Sequence, residues 1–145
     1  MEDLRLFDSH THLNSPAFAE DVDRVWRESR RSGIERAIVV GYDLDSSVAA
    51  IQLSERLDGL FAAVGVSPHD SVNAPDDYIE RLRELAASPR VKAIGETGLE
   101  YHHPIGKHDL QQRVFRAQID LANELQLPVI IHSRACDDDL LRILD

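Results

Sequence analysis

Leu4-Arg5-Leu6-Phe7-Asp8-Ser9-His10-Thr11-His12 carries the strongest clue to the architecture. It is an apolar run closed by two imidazoles. Side chains two apart on a strand point to the same face, so His10 and His12 offer one ion a chelating pair. Asp8 has the same parity and is placed to accept a hydrogen bond from one imidazole and set its tautomer. Two later runs end in the same way: Val91-Lys92-Ala93-Ile94-Gly95-Glu96 and Pro128-Val129-Ile130-Ile131-His132 each finish on a metal-competent side chain.

Between these runs the chain alternates strand and helix patterns. Strands are predicted over residues 4–9, 34–41, 60–66, 91–95 and 128–131. The first helix carries Val22, Val25 and Trp26 and ends at Gly33. Asp45 suits the N-cap of the second, which carries Val48, Ile51 and Leu57. Pro75, Asp76 and Asp77 suit the first turn of a third helix through Ile79, Leu82 and Leu85, ending near Pro89. Leu110, Val114, Ala117, Leu121 and Leu125 form the apolar stripe of the longest helix, and another begins at Asp137.

Short, nearly all-apolar strands separated by amphipathic helices indicate a parallel sheet covered by helices. A five-stranded doubly wound sheet fits the length, since a (β/α)8 barrel typically takes about 250 residues. The polar groups point to the other architecture. His10, His12, Glu96 and His132 follow strand C-terminal ends, and a closed ring brings such ends towards one centre. The fold class is therefore read as α/β, a TIM-type barrel. Residues 1–145 supply about its first five βα units, as one N-terminal part truncated in the helix after strand five. Such a half-barrel would leave interior positions such as Ile94 and Ile130 to water, so the isolated chain is expected to self-associate or be poorly stable.

Bulk properties narrow the function. The 145 residues are 43% hydrophobic, which suits an ordinary core, and the single cysteine excludes an intramolecular disulfide framework. No twenty-residue apolar segment or signal-like start is present, so a soluble, cytoplasmic protein without a membrane partner is expected. Sixteen basic against 26 acidic residues give a net charge of −10, which argues against a domain that coats nucleic acid nonspecifically. Phosphate chemistry is still accessible if bound cations supply the positive charge. There is no Gly-x-Ser-x-Gly elbow, Walker-type loop or dinucleotide fingerprint.

Neutral imidazole suits zinc and other first-row cations, and a carboxylate can give one oxygen to each of two metals. His10 and His12 are thus candidate ligands of a first ion, Glu96 the shared ligand and catalytic carboxylate, and His132 the ligand of a second ion. Magnesium, manganese or zinc fits such a set. Two ions about 3.5 to 4 Å apart polarise a phosphoryl group and activate water without a nucleophilic side chain. Bland readings stand beside these. Glu96 also suits a buried pair with Arg134, and His132 a hydrogen-bonded core position. Arg134 fits a phosphate contact or a salt bridge to the acidic run 137–139, and His69 a substrate contact or a loop-stabilising role. His102, His103 and His108 read as solvated loop residues or a helix N-terminal contact, and Cys136 as a small packed residue.

At these residues the sequence resembles the TatD-like metal-dependent deoxyribonucleases, a branch of the amidohydrolase-type barrels. The matching segments are Phe7-Asp8-Ser9-His10-Thr11-His12-Leu13, Val64-Gly65-Val66-Ser67-Pro68-His69, Ile94-Gly95-Glu96-Thr97-Gly98-Leu99-Glu100-Tyr101 and Leu127-Pro128-Val129-Ile130-Ile131-His132-Ser133-Arg134. Gln112, Phe115, Gln118 and Ala122 also stand where the family's long fourth helix has them. The resemblance implies a two-metal hydrolase cleaving phosphodiester bonds in DNA, with His10 and His12 on one ion, His132 on the other and Glu96 shared. The family's histidine after strand six and its aspartate near the last strand have no counterpart here, so the 145-residue chain is expected to be impaired. Ser67 replaces a frequent histidine, Glu100 the usual aspartate, and His102-His103 the place of a common arginine. Two other readings are an amide or lactone hydrolase of the same barrel class, which often carries a carboxylated lysine where Glu96 stands, and a non-catalytic metal-binding fragment that self-associates or takes a complementary C-terminal fragment.

Overall fold

Five apolar runs become five strands: β1 (Leu6–Thr11), β2 (Ile34–Val40), β3 (Leu60–Val64), β4 (Val91–Glu100) and β5 (Val129–Arg134). They are seen in a computed structural model that describes residues 5–145, and Leu4, which opens the first predicted strand, lies outside the described residues. Every pairing is parallel, and the spatial order β1-β2-β3-β4-β5 is the chain order. A doubly wound sheet reverses its order at a switch point, whereas a barrel lays each strand beside the last. The sheet is therefore half of a barrel, as the placement of the polar residues predicts.

Helices α1 (Val22–Arg31), α2 (Leu44–Arg56), α3 (Tyr78–Ala86), α4 (His108–Leu125) and α5 (Asp137–Leu144) each follow a strand. The main core lies between sheet and helices, where Leu60, Ala62, Val64 and Ile94 meet Leu82, Val114 and Leu121. The inner face holds a smaller cluster, Val40, Ala63 and Ala93, with Ile38 and Ile130 partly buried against it. Ile94 thus faces the helices and is fully buried, contrary to expectation, while Ile130 does belong to the inner face. The edges are open: Leu6, Phe7 and Ile131 are 43%, 53% and 37% exposed, and neither β1 nor β5 has a buried residue.

Some predicted boundaries move, each for a local reason. Asp43, not Asp45, caps α2: its carboxylate accepts from the Ser46 N–H at 2.7 Å, and the Ser46 hydroxyl accepts from the Asp43 N–H at 2.9 Å. Asp43 has the extended backbone that this capping box needs, whereas Asp45 is already inside the helix. Pro75, Asp76 and Asp77 precede α3, with Asp77 at its cap. β3 stops at Val64, short of residue 66, while β5 runs on through His132 to Arg134.

The buried face of α4 is not the all-apolar stripe. Gln111 and Gln118, seven residues apart, are fully buried beside Val114, Phe115 and Leu121. Gln118 pairs with the Val66 backbone in both directions, accepting its N–H at 2.8 Å and donating to its carbonyl at 2.9 Å; it also donates to the Thr97 hydroxyl. Gln111 does the same for Glu100, accepting its N–H at 2.8 Å and donating to its carbonyl at 3.1 Å. Each amide stands in for a missing strand neighbour, which is why a polar group is tolerated in the core. Through them α4 holds the loop after β3 and the far end of β4, the two segments that carry His69 and Glu100.

Candidate metal centre

β4 reads through both of its glycines. It pairs Ile94 with Val129 and then Thr97 with Ile131, so β4 advances three residues while β5 advances two. The extra residue is a bulge at Gly95 and Glu96, a device that re-aims a side chain. β1 is irregular in the same way, with Asp8 opposite Ala37 and Thr11 opposite Val39. Both irregularities lie where candidate ligands leave their strands.

Together they bring three ligand atoms to one point. His10 Nε2 lies 3.2 Å from His12 Nε2, and Glu96 Oε2 lies 3.5 Å from the first and 3.3 Å from the second. Ligands held about 2.1 Å from a tetrahedral ion stand about 3.4 Å apart, which is the edge of this triangle. The donors also fit a cation chemically. The Val40 carbonyl sits 3.0 Å from His12 Nδ1, and since a carbonyl only accepts, that nitrogen carries the proton in the neutral ring. The His12 Nε2 lone pair is then directed at a carboxylate and a second imidazole, an arrangement that calls for a proton or a metal ion.

Asp8 does not set a tautomer. Its carboxylate accepts from the backbone N–H of His10 at 3.1 Å, because the β1 irregularity breaks the alternation that would have aligned it with the rings. The ring-orienting acceptor is the Val40 carbonyl, from a neighbouring strand. His132 joins the group from β5, with Nδ1 at 2.9 Å from Glu96 Oε1 and Nε2 at 3.3 Å from Glu100 Oε2. Glu96 is thus surrounded by His10, His12 and His132 rather than paired with Arg134. The cleft above them has a volume of about 390 Å³, with His12, Tyr42, Ser67, His69, Glu96 and His132 in its wall. His69 is in this wall, whereas Arg134 is exposed at the end of β5 and makes no salt bridge among the described residues. Asp139 instead pairs with Arg142 and accepts from the Tyr101 hydroxyl. Cys136 is buried, and its thiol donates to the Leu99 carbonyl.

Glu100 was missed as a site residue. Its side chain is 1% exposed, and it faces His69, His103 and His132. The signal was strand parity: residues 96, 98 and 100 share one face once β4 is continued past Gly95. His103, read from sequence as solvated loop, is half-exposed but turns its ring to that carboxylate.

Burial works to raise the pKa of Glu96, but the hydrogen bond to His12 and the charges of His10, His12 and His132 outweigh it and hold the carboxyl at about 2 instead of 4.5. His12 is raised above 6.5 by the same hydrogen bond to Glu96, against its burial and with help from the Val40 carbonyl. A depressed carboxyl stabilises the fold above its unfolded pKa and loses that contribution as pH falls; a raised imidazole stabilises below its unfolded pKa and loses it as pH rises. In the metal-free protein the pair should contribute most between about pH 4.5 and 6.5. Urea melts in a chelator should show the midpoint falling below that window towards pH 2 and declining above it; a midpoint unchanged down to pH 2 would contradict the arrangement.

Known proteins of one family are similar to the chain. The family model described as TatD related DNase matches residues 7–145. A Bacillus subtilis protein called an uncharacterized metal-dependent hydrolase, YabD, is 39% identical over 139 residues, covering 96% of this chain and 54% of its own. The 3′-5′ ssDNA/RNA exonuclease TatD of Enterobacter lignolyticus is 34% identical over 139 residues, again 96% of this chain and 54% of that protein. Among solved structures, the TatD homologue YJJV from Escherichia coli superposes with a TM-score of 0.91 at 29% identity, over 97% of this chain and 55% of that one. The chain spans about half the length of the relatives it matches.

Proposed function

Since the chain belongs to the TatD-related DNase family, we propose that it forms the N-terminal half of a divalent-metal hydrolase that cleaves phosphodiester bonds in DNA. The observation that carries this reading is the triangle of His10, His12 and Glu96, with sides of 3.2, 3.3 and 3.5 Å. His10 and His12 would hold a first ion, His132 would hold a second from β5, and Glu96 would be the shared ligand. Magnesium, manganese or zinc bound there would polarise a phosphoryl oxygen and lower the pKa of a water.

The chain's own groups do the rest. Glu96 remains ionised throughout the neutral range, so its charge is available to the ions at working pH. The Val40 carbonyl fixes the His12 ring, so that ring does not have to reorganise on loading, and Asp8 holds the backbone N–H of His10. His69 reaches the substrate from the cleft wall, and Arg134 meets a phosphate at the end of β5. The reading places the protein in the cytoplasm. It also assigns residues 1–145 to one barrel part, whose edge strands β1 and β5 are covered by complementary strands or by a second copy.

The test is metal-dependent cleavage. With manganese or magnesium the 145-residue chain should degrade single-stranded DNA slowly, a chelator should stop it, and His10→Ala should remove it. Cleavage that persists in chelator or in His10→Ala, or failure of the chain to bind either metal, would overturn the reading.

A further inference from the structure

Glu100 is an unusual carboxylate in this fold. It sits on the last residue of β4 with its side chain 1% exposed, yet no lysine or arginine pairs with it among the described residues. Its Oε1 is engaged by backbone, accepting from the N–H of His102 at 2.7 Å and of His103 at 3.2 Å. Its Oε2 faces imidazole nitrogens only: His103 Nδ1 at 3.3 Å, His132 Nε2 at 3.3 Å and His69 Nε2 at 3.8 Å. The ligand atoms of His69, Glu100 and His103 all lie within 4.8 Å of one another.

We propose that His69, Glu100 and His103 form an additional divalent-cation site of the zinc class, separate from the triad of His10, His12 and Glu96. Two imidazoles and one carboxylate are a recognised zinc donor set that leaves a fourth position open. The separations from Glu100 Oε2 match the roughly 3.4 Å expected between ligands of a tetrahedral ion, with His69 slightly outside. The site is built from inside and open from outside: the buried carboxylate is fixed by two backbone N–H groups, while the His69 and His103 rings are 44% and 47% exposed. An ion can therefore enter without unfolding the site, and the exposed His69 and His103 rings can turn towards it. His132 stands between the two centres, with one ring nitrogen towards Glu96 and the other towards Glu100.

The site does not depend on nuclease activity, so its test counts ions. Cobalt(II), a spectroscopic substitute for zinc, is titrated into the intact chain and followed by visible absorption and calorimetry. His103→Ala, on an exposed loop, should lose one bound equivalent, or at least tenfold in affinity for it, with the far-ultraviolet spectrum unchanged. The double variant His10→Ala/His12→Ala should keep that same equivalent and lose a different one. If His103→Ala and Glu100→Gln both bind as many ions, as tightly, as the parent, the proposal is wrong. If instead the double variant binds as the parent does, the first centre fails while loss of the equivalent in His103→Ala still upholds this one.

Discussion

Glu96→Ala is expected to abolish tight divalent-metal binding at the β1 histidines, with a loss of affinity exceeding about a hundredfold, because even removal of a residue that only orients a ligand commonly costs 10- to 100-fold. Glu96 gives its Oε2 to the triangle with His10 and His12 and its Oε1 to His132, so one substitution unties three strands' contributions. The variant also takes the partner from His12, whose pKa should fall back from its raised value. Competition against a fluorescent chelator measures the first effect, and histidine NMR titration the second. An affinity within tenfold of the parent would show that the carboxylate is not a ligand.

Gly98→Ala should have the largest effect on stability. Gly98 has φ +140° and pairs with His132 in the β4–β5 register. A Cβ there would overlap the His132 carbonyl oxygen and lie 2.9 Å from its carbon and 3.0 Å from its nitrogen. The backbone strain is about 1–3 kcal/mol and the steric insertion about 1–3 kcal/mol more, against a typical total stability of roughly 5–15 kcal/mol. A loss of about 2–6 kcal/mol is therefore expected in urea unfolding. It should come with weaker metal binding, since separating β4 from β5 carries His132 away from Glu96. A variant within about 0.5 kcal/mol of the parent would contradict the packing.

The same glycine shows what sequence could and could not tell. The β1 and β5 runs, each ending in histidine, and the β4 run reaching Glu96 were legible as apolar segments closed by polar ligands. Alternation of strand and helix gave the parallel sheet, and convergence of four polar side chains favoured the barrel over a doubly wound sheet. Gly95 looked like the end of β4 because glycine ordinarily weakens strands. Here it is required: a Cβ at Gly95 would lie 2.6 Å from the Ile130 carbonyl oxygen. Ending the strand there hid the placement of Glu100, which lies four residues beyond Glu96 on the same face. Asp8 was misjudged for a related reason, since parity arguments assume a regular strand and β1 is irregular between Asp8 and Thr11. Gln111 and Gln118 were unreadable as core because their burial depends on unpaired backbone in distant segments, which no local pattern announces.

Anomalous diffraction from crystals of the chain loaded with manganese would locate the ion between β1 and β4. A peak is expected bonded to His10 Nε2, His12 Nε2 and Glu96 Oε2, at about 2.0–2.2 Å from each as zinc-type sites have it. A well-ordered protein with these three side chains in place and no peak among them would contradict the metal centre.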